Sequence, residues 1–263
     1  MKSRREFLKN VAVSTAGMAV GLNARGKVVP VPADLDWDLW QGPAPRQPYK
    51  DNVHPYNWHW FWSWGTGETL NNGSHEVDLC RWALGVDYPK RINASGGRYH
   101  FKDDWEFYDT LVTNFEYDNA LITWEGMCCQ GKQYYGRGRG LTIHGTKGTV
   151  LLDRGGYQVY DLDDKLLTEV KAERSAATQD LRSIDSMTTA YFQNFVNAIR
   201  SGERLHCPIA NGQISVTTLL LSNIAWKYNR TLRLDTSNGH IQNDAEAMTM
   251  WRREYEKGWE PKL

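Results

Sequence analysis

Leu111–Tyr117 reads LVTNFEY. In an extended chain successive side chains point to opposite faces, so Leu111, Thr113, Phe115 and Tyr117 share one face. The other face mixes Val112, Asn114 and Glu116. The first face suits a core and the second does not. Strands of the same kind lie on both sides: Lys90–Tyr99, Tyr108–Tyr117, Ala120–Cys128, Leu141–His144, Thr149–Asp153, Tyr157–Asp161 and Lys165–Val170. Asp118-Asn119, Gly145-Thr146-Lys147-Gly148 and Arg154-Gly155-Gly156 punctuate them as turns. Connections this short require antiparallel neighbours, because a parallel pair needs a crossover of about a dozen residues.

Helical signals flank the strands. Ser74 is placed to cap a helix running to about Leu84, with Gly85 as its stop. Ile184–Arg200 carries Tyr191, Phe195 and Ile199 on one stripe, with Gly202 beyond. Asn211–Tyr228 follows Pro208, Leu232–Leu234 is a short strand, and Asp244–Tyr255 is predicted as a last helix. Helix, strands, then helices predict an α+β fold: a large, mostly antiparallel open sheet with helices on one face. The open face predicts a homo-oligomer.

The remaining composition sets limits. The chain has 263 residues, 41% apolar and 24% charged, with Lys+Arg and Asp+Glu balanced at 31 each. That balance points away from nucleic acid. Lys2, Arg4, Arg5 and Lys9 precede a mildly apolar Val11–Leu22, which is too short for a stable membrane span. Ser3-Arg4-Arg5-Glu6-Phe7-Leu8-Lys9 has the form of a twin-arginine export signal, so residues 1–26 read as a signal segment and the chain as periplasmic or envelope-associated. Residues 27–53, with Pro30, Pro32, Pro43, Pro45 and Pro48, read as an extended lead-in. Residues 54–263 read as the folded domain. Cys80, Cys128, Cys129 and Cys207 follow no zinc spacing and are expected to be buried free thiols.

The densest polar and aromatic cluster is His54–Trp82. Its first part, Tyr56–Trp64, reads YNWHWFWSW. Trp58, Trp60, Trp62 and Trp64 recur at every second position, and spacing alone makes this a core strand. It runs into Gly65–Gly73, which reads as a loop. His75 and Asp78 then share a face at the first turn of the predicted helix. A His beside a carboxylate can act as a general acid/base, or the two can simply brace the helix start. His54, His59, Glu68, His75 and Asp78 include metal-ligating types, but at no ligand spacing, so no metal is expected. Gly65-Thr66-Gly67 and Gly136-Arg137-Gly138-Arg139-Gly140 do not complete a dinucleotide or phosphate-loop motif. No GxSxG or local cysteine-nucleophile signature occurs.

Several stretches together resemble one family: Trp40–Pro45, Tyr56–Glu68, Asn71–Asp78 through Arg81-Trp82-Ala83-Leu84-Gly85, Ala94-Ser95-Gly96-Gly97-Arg98-Tyr99, Gly145–Thr149 and Ser222-Asn223-Ile224-Ala225. They resemble the C-terminal domain of the Gfo/Idh/MocA oxidoreductases, the glucose–fructose oxidoreductase and inositol dehydrogenase type, and within it the Tat-exported bacterial members. The resemblance runs from about Val29 to Trp259. It implies a sugar-binding and oligomerisation domain. In many members a glycine-rich turn is followed by Asp and, four residues later, His. The His position here is His75 and the Asp position is Asn71, which cannot take a proton.

The resemblance therefore makes His75 and Asn71 the candidate catalytic pair. Trp58, His59, Trp60, Trp62, Glu68, Asn72, Asp78, Arg98 and Tyr99 become candidate carbohydrate-binding residues, with the aromatic stretch as one wall of the pocket. The family uses NAD or NADP on a separate Rossmann domain with a Glu-Lys-Pro motif. Neither reads out of this chain, so no cofactor is expected on it alone, and redox activity is expected only with a Rossmann-domain partner in trans. A cofactor-free lyase or epimerase acting on a keto-sugar through His75, and a truncated inactive member, are the alternatives.

Overall fold

A computed structural model describes residues 25–131, 133–172 and 186–262. The export-signal reading of residues 1–24 lies outside the described residues. In chain order the elements are α1 (Trp37–Gln41), a 3-10 turn (Asn57–Trp60), α2 (Gly67–Asn71), α3 (Gly73–Leu84), β1 (Arg91–Gly97), β2 (Thr110–Glu116), β3 (Leu121–Met127), β4 (Leu141–Gly145), β5 (Gly148–Asp153), β6 (Gly156–Tyr160), β7 (Leu166–Lys171), α4 (Ser186–Ser201), α5 (Ile209–Tyr228), β8 (Leu232–Arg233) and α6 (Ala245–Met248), followed by a 3-10 turn (Thr249–Trp251). The α+β class and the antiparallel pairing agree with the sequence. The single large sheet does not. Two four-stranded sheets form instead, ordered β3-β2-β1-β8 and β4-β5-β6-β7.

The first sheet holds the main core. Leu111, Thr113 and Phe115 of β2 are fully buried, as the alternation requires. β1 and β3 flank β2 in register, Ile92 opposite Phe115 and Trp124 opposite Thr113. The other face closes on itself with polar bonds. Asn114 donates to Asn93 at 3.2 Å and accepts from Thr123 at 2.8 Å. Arg91 pairs with Glu116 across the β1–β2 ladder.

α5 lies on the core side of this sheet. Leu219, Leu221, Ile224 and Ala225 are buried, and so are the polar residues Ser215, Thr218, Ser222 and Asn223. The Ser222 and Thr113 hydroxyls meet at 2.7 Å, tying helix to sheet. α5 ends where Asn229 turns left-handed at φ 51°. α3 ends the same way at Gly85, φ 63°, whose N–H returns to the Arg81 and Trp82 carbonyls.

Three local expectations are corrected. Tyr56–Trp64 is not a strand. Trp58 N–H donates to the Val53 carbonyl at 2.9 Å, Phe61 N–H to Trp58 at 3.2 Å and Gly65 N–H to Phe61 at 2.7 Å, so the backbone closes on itself in turns. The tryptophans consequently part company. Trp60 and Trp62 belong to the main core, whereas Trp58 and Trp64 join a second cluster of Trp37, Tyr49, Val53 and Phe61. Residues 27–53 supply that second cluster and are not wholly extended, because Asp36 caps the short α1 by accepting from Leu39 N–H at 3.0 Å. The last helix stops at Met248, and Arg252 is already extended at φ −117°, ψ 145°. The predicted start of α4 at Ile184 lies outside the described residues.

Candidate functional site

α2 and α3 are separated only by Asn72, so their junction brings Glu68, Asn71 and Asn72 together and puts His75 in the first turn of α3. The approach to this junction is tightly wound. A Cβ on Gly65 would sit 2.1 Å from the His59 carbonyl oxygen, and Gly67 has φ +66°. Behind it lies a buried hydrogen-bonded network. The Tyr108 hydroxyl stands 2.9 Å from both Thr69 Oγ1 and Asn223 Oδ1, and Asn223 Nδ2 donates to the Thr66 carbonyl at 2.7 Å. Burial pushes the Tyr108 hydroxyl well above the ordinary phenol range, so it remains a neutral donor. This network fixes α2 against α5 from within the core.

Glu68 is 9% exposed. Its carboxylate accepts from the Asn71 amide at 3.1 Å and from the Asn72 amide. The Cys128 thiol lies beside both Glu68 and the Trp60 indole. Burial first, and the Glu68 charge second, push the thiol's pKa up, so it stays protonated next to the carboxylate. The outward side of Asn72 meets Arg139, which donates to Asn72 Oδ1 at 2.8 Å and to Glu76 Oε1 at 2.8 Å. The exposed His75 ring makes no hydrogen bond among the described residues, while its backbone N–H donates to the Asn72 carbonyl at 3.1 Å. Ser74 does not cap α3 as expected. Its hydroxyl donates to the Leu70 carbonyl at 3.1 Å, and Asn72 occupies the cap position.

The other candidates divide between core and neighbouring loops. The Asp78 carboxylate accepts from Ser215, whose hydroxyl is also 2.5 Å from Arg81 Nη1, so Asp78 braces α3 on α5 and does not meet His75. Trp60 is 2% exposed and stacks on Trp105 with centroids 4.3 Å apart. Trp62 meets Phe107 at 4.0 Å and carries the Lys227 ammonium 4.6 Å from its ring centroid. His59 donates through Nδ1–H to the Tyr56 carbonyl at 2.5 Å and stacks on Trp58 at 3.8 Å. Arg98 donates to the Phe107 carbonyl at 3.0 Å and pairs with Asp103, while Tyr99 is exposed.

The loop carrying Arg98 and Tyr99 is held by Asp109. Its carboxylate accepts from the backbone N–H of Tyr99, His100 and Phe101 at 2.9–3.2 Å. Burial alone would raise the Asp109 pKa. The backbone hydrogen bonds, joined by the Thr110 hydroxyl, outweigh it and hold the carboxyl below the usual range.

The site is thus an open polar junction. A buried carboxylate, two amides and a guanidinium meet there, with the exposed His75 in the first turn of α3 and aromatic core behind. These are groups that accept from, donate to and take protons from hydroxyls. No cluster of three or more His, Cys, Asp or Glu side chains suited to a metal occurs among the described residues. The shallow depression lined by Val86, Tyr88, Lys90 and Tyr117 lies beyond the opposite end of α3. Arg139 and Cys128 were not among the predicted site residues. Arg139 sits in Gly136–Gly140, a stretch whose glycines matched no phosphate motif but whose arginines could have been read as reaching elsewhere. Nothing in the local sequence around Cys128 announces its place.

Comparison with known proteins gives three findings. Residues 26–151 match the GFO/IDH/MocA C-terminal domain. Among solved structures, an oxidoreductase from Agrobacterium radiobacter in complex with NAD+, L-tartaric acid and magnesium is similar with a TM-score of 0.51 and 17% identity, covering 70% of this chain and 53% of that one. UDP-N-acetylglucosamine 3-dehydrogenase GnnA from Acidithiobacillus ferrooxidans is similar with a TM-score of 0.42 and 16% identity, covering 59% and 45%. The WlbA dehydrogenase from Chromobacterium violaceum, in complex with NADH and UDP-GlcNAcA, has a TM-score of 0.41 and 16% identity, covering 69% and 52%. The chain spans about half the length of these structures. No curated protein matches it. At such identities the first of these likenesses speaks for the fold, and it agrees with the sequence match. The matched residues, 26 to 151, carry the α2–α3 junction and strands β1 to β3, so the likeness to the GFO/IDH/MocA C-terminal domain covers the candidate site.

Proposed function

We propose that this chain is the carbohydrate-binding, substrate half of a Gfo/Idh/MocA-type oxidoreductase. Glu68, Asn71, Asn72 and His75 form its hydroxyl-recognising site. The observation that carries the reading is the Glu68 carboxylate: nine-tenths buried, held by two amides, with the exposed His75 three residues beyond the second of them. A carboxylate so placed orients hydroxyls, and His75 is the group that exchanges a proton with one. Trp58, Trp60 and Trp62 serve mainly to pack the wall behind. Hydride transfer requires NAD or NADP on a nucleotide-binding domain supplied in trans, as the family resemblance implies. The twin-arginine signature at Ser3–Lys9 supports export to the periplasm or cell envelope.

Self-association fits the second sheet better than the first. Its paired residues Leu141, Ile143, Val150, Leu152, Val159 and Val170 share one apolar face that is only partly covered. We expect light scattering to give a mass of two or more chains; a clean monomer at micromolar concentration contradicts this.

Calorimetric titration of the purified chain with a hexose panel and with NAD+ and NADP+ tests the reading. Saturable sugar binding without dinucleotide binding is expected; tight dinucleotide binding would contradict the in-trans requirement. A second reading, proton exchange on a keto-sugar without cofactor, is favoured by the absence of any hydrogen-bond partner for the His75 ring among the described residues. Deuterium incorporation at the α-carbon, lost in His75→Ala, would establish it.

A further inference from the structure

The C-terminal segment crosses back to the approach of the candidate site. Arg253 Nη2 donates to the Gly65 carbonyl at 3.0 Å and to the Trp62 carbonyl at 3.3 Å, bridging 188 and 191 residues of sequence. Both acceptors lie in the wound segment that leads into α2 and Glu68. The chain beyond Arg253 is itself tied down. Glu256 N–H donates to the Pro43 carbonyl at 2.9 Å, and the Glu256 carboxylate accepts from Arg46 N–H at 3.0 Å. Arg46 in turn stands 5.6 Å over the Trp259 ring.

A guanidinium satisfies two convergent carbonyls at once, which a water shell does less rigidly. The interruption of the predicted last helix after Trp251 is what lets Arg253 reach them. From this we infer that residues 252–259 form a strap, and that Arg253 is a positioning residue which sets the Trp62–Gly67 backbone and, through it, the placement of Glu68, Asn71 and Asn72. The consequence for ligand binding rests on the sugar-site reading given above. The consequence for the backbone does not.

Hydrogen exchange of the full chain decides it. In Arg253→Ala, amides of residues 61–72 should exchange about tenfold faster, because charge-assisted bonds that hold a local segment are lost. Amides of β2 and β3 should exchange as in wild type, and Arg253→Lys should recover part of the protection. Wild-type exchange over residues 61–72 in Arg253→Ala would overturn the strap. If that variant does not fold, Arg253→Met, which keeps the apolar stem and removes the donors, is read the same way. Any hexose bound by wild type should bind about tenfold more weakly to Arg253→Ala; equal affinity overturns the positioning role. Failure of wild type to bind any hexose overturns the sugar-site reading and leaves the exchange comparison to judge the strap.

Discussion

The two sheets are built from similar sequences and meet different fates. In β3-β2-β1-β8, Ile92, Leu111, Phe115 and Leu232 are almost wholly buried under α5 and its neighbours. In β4-β5-β6-β7, Leu151 is the buried apolar residue among the described strand positions, while Tyr157, Leu166, Leu167 and Val170 are exposed. Apolar alternation therefore identifies a strand without saying what covers it. The cover comes from distant helices in the first sheet and is missing from the described chain in the second. The first sheet anchors both the stability of the chain and the candidate site; the second presents a surface.

The sharpest way to break this contrast is to hollow each sheet in turn. Phe115→Ala should cost about 3–5 kcal/mol by urea denaturation, whereas Val159→Ala in the second sheet should cost less than about 1 kcal/mol. Equal losses would mean that the second sheet is as well covered as the first. Next in size, Asp109→Asn should cost about 2 kcal/mol, because a carboxylate accepting three backbone N–H groups becomes an amide that can satisfy fewer of them.

The sign of its pH dependence follows from its lowered pKa. The folded protein binds the Asp109 proton less readily than the unfolded chain does. Its contribution is therefore complete above the unfolded value of about 4 and disappears as pH falls through the lower folded value. Thermal unfolding followed from pH 6 to pH 2.5 should fall more steeply below pH 4 in wild type than in Asp109→Asn. Tyr108→Phe removes a hydroxyl from the Thr69–Asn223 network and should cost about 1–2 kcal/mol. Smallest of all, Arg139→Ala at the exposed edge of the site should change stability by less than about 0.5 kcal/mol, because exposed ion pairs contribute little.

Much of this was legible in the sequence. The β2 alternation named its buried face correctly, and Gly85 and Tyr228 mark helix ends where they were expected, because these signals act within a few residues. The aromatic run misled. Its period of two was that of a strand, but the tryptophans at 58 and 64 are drawn to a cluster that residues 27–53 create, and no local pattern could reveal that partner. The end of the chain was misread for a related reason: Arg253 is pulled out of helix by carbonyls nearly two hundred positions away. At the site, the contact of Glu68 with Asn71 and Asn72 follows from near adjacency in sequence. Asp78 was not separable from His75 by spacing, because the Ser215 that claims it lies on another helix.

The central claim is that the α2–α3 junction, and not the exposed sheet, recognises a carbohydrate. Calorimetric titration of wild type, Glu68→Gln and Val159→Ala with the same hexose tests it most directly. The account predicts saturable binding that weakens at least tenfold in Glu68→Gln and is unchanged in Val159→Ala. Binding that survives Glu68→Gln intact, or that fails only in Val159→Ala, would contradict it.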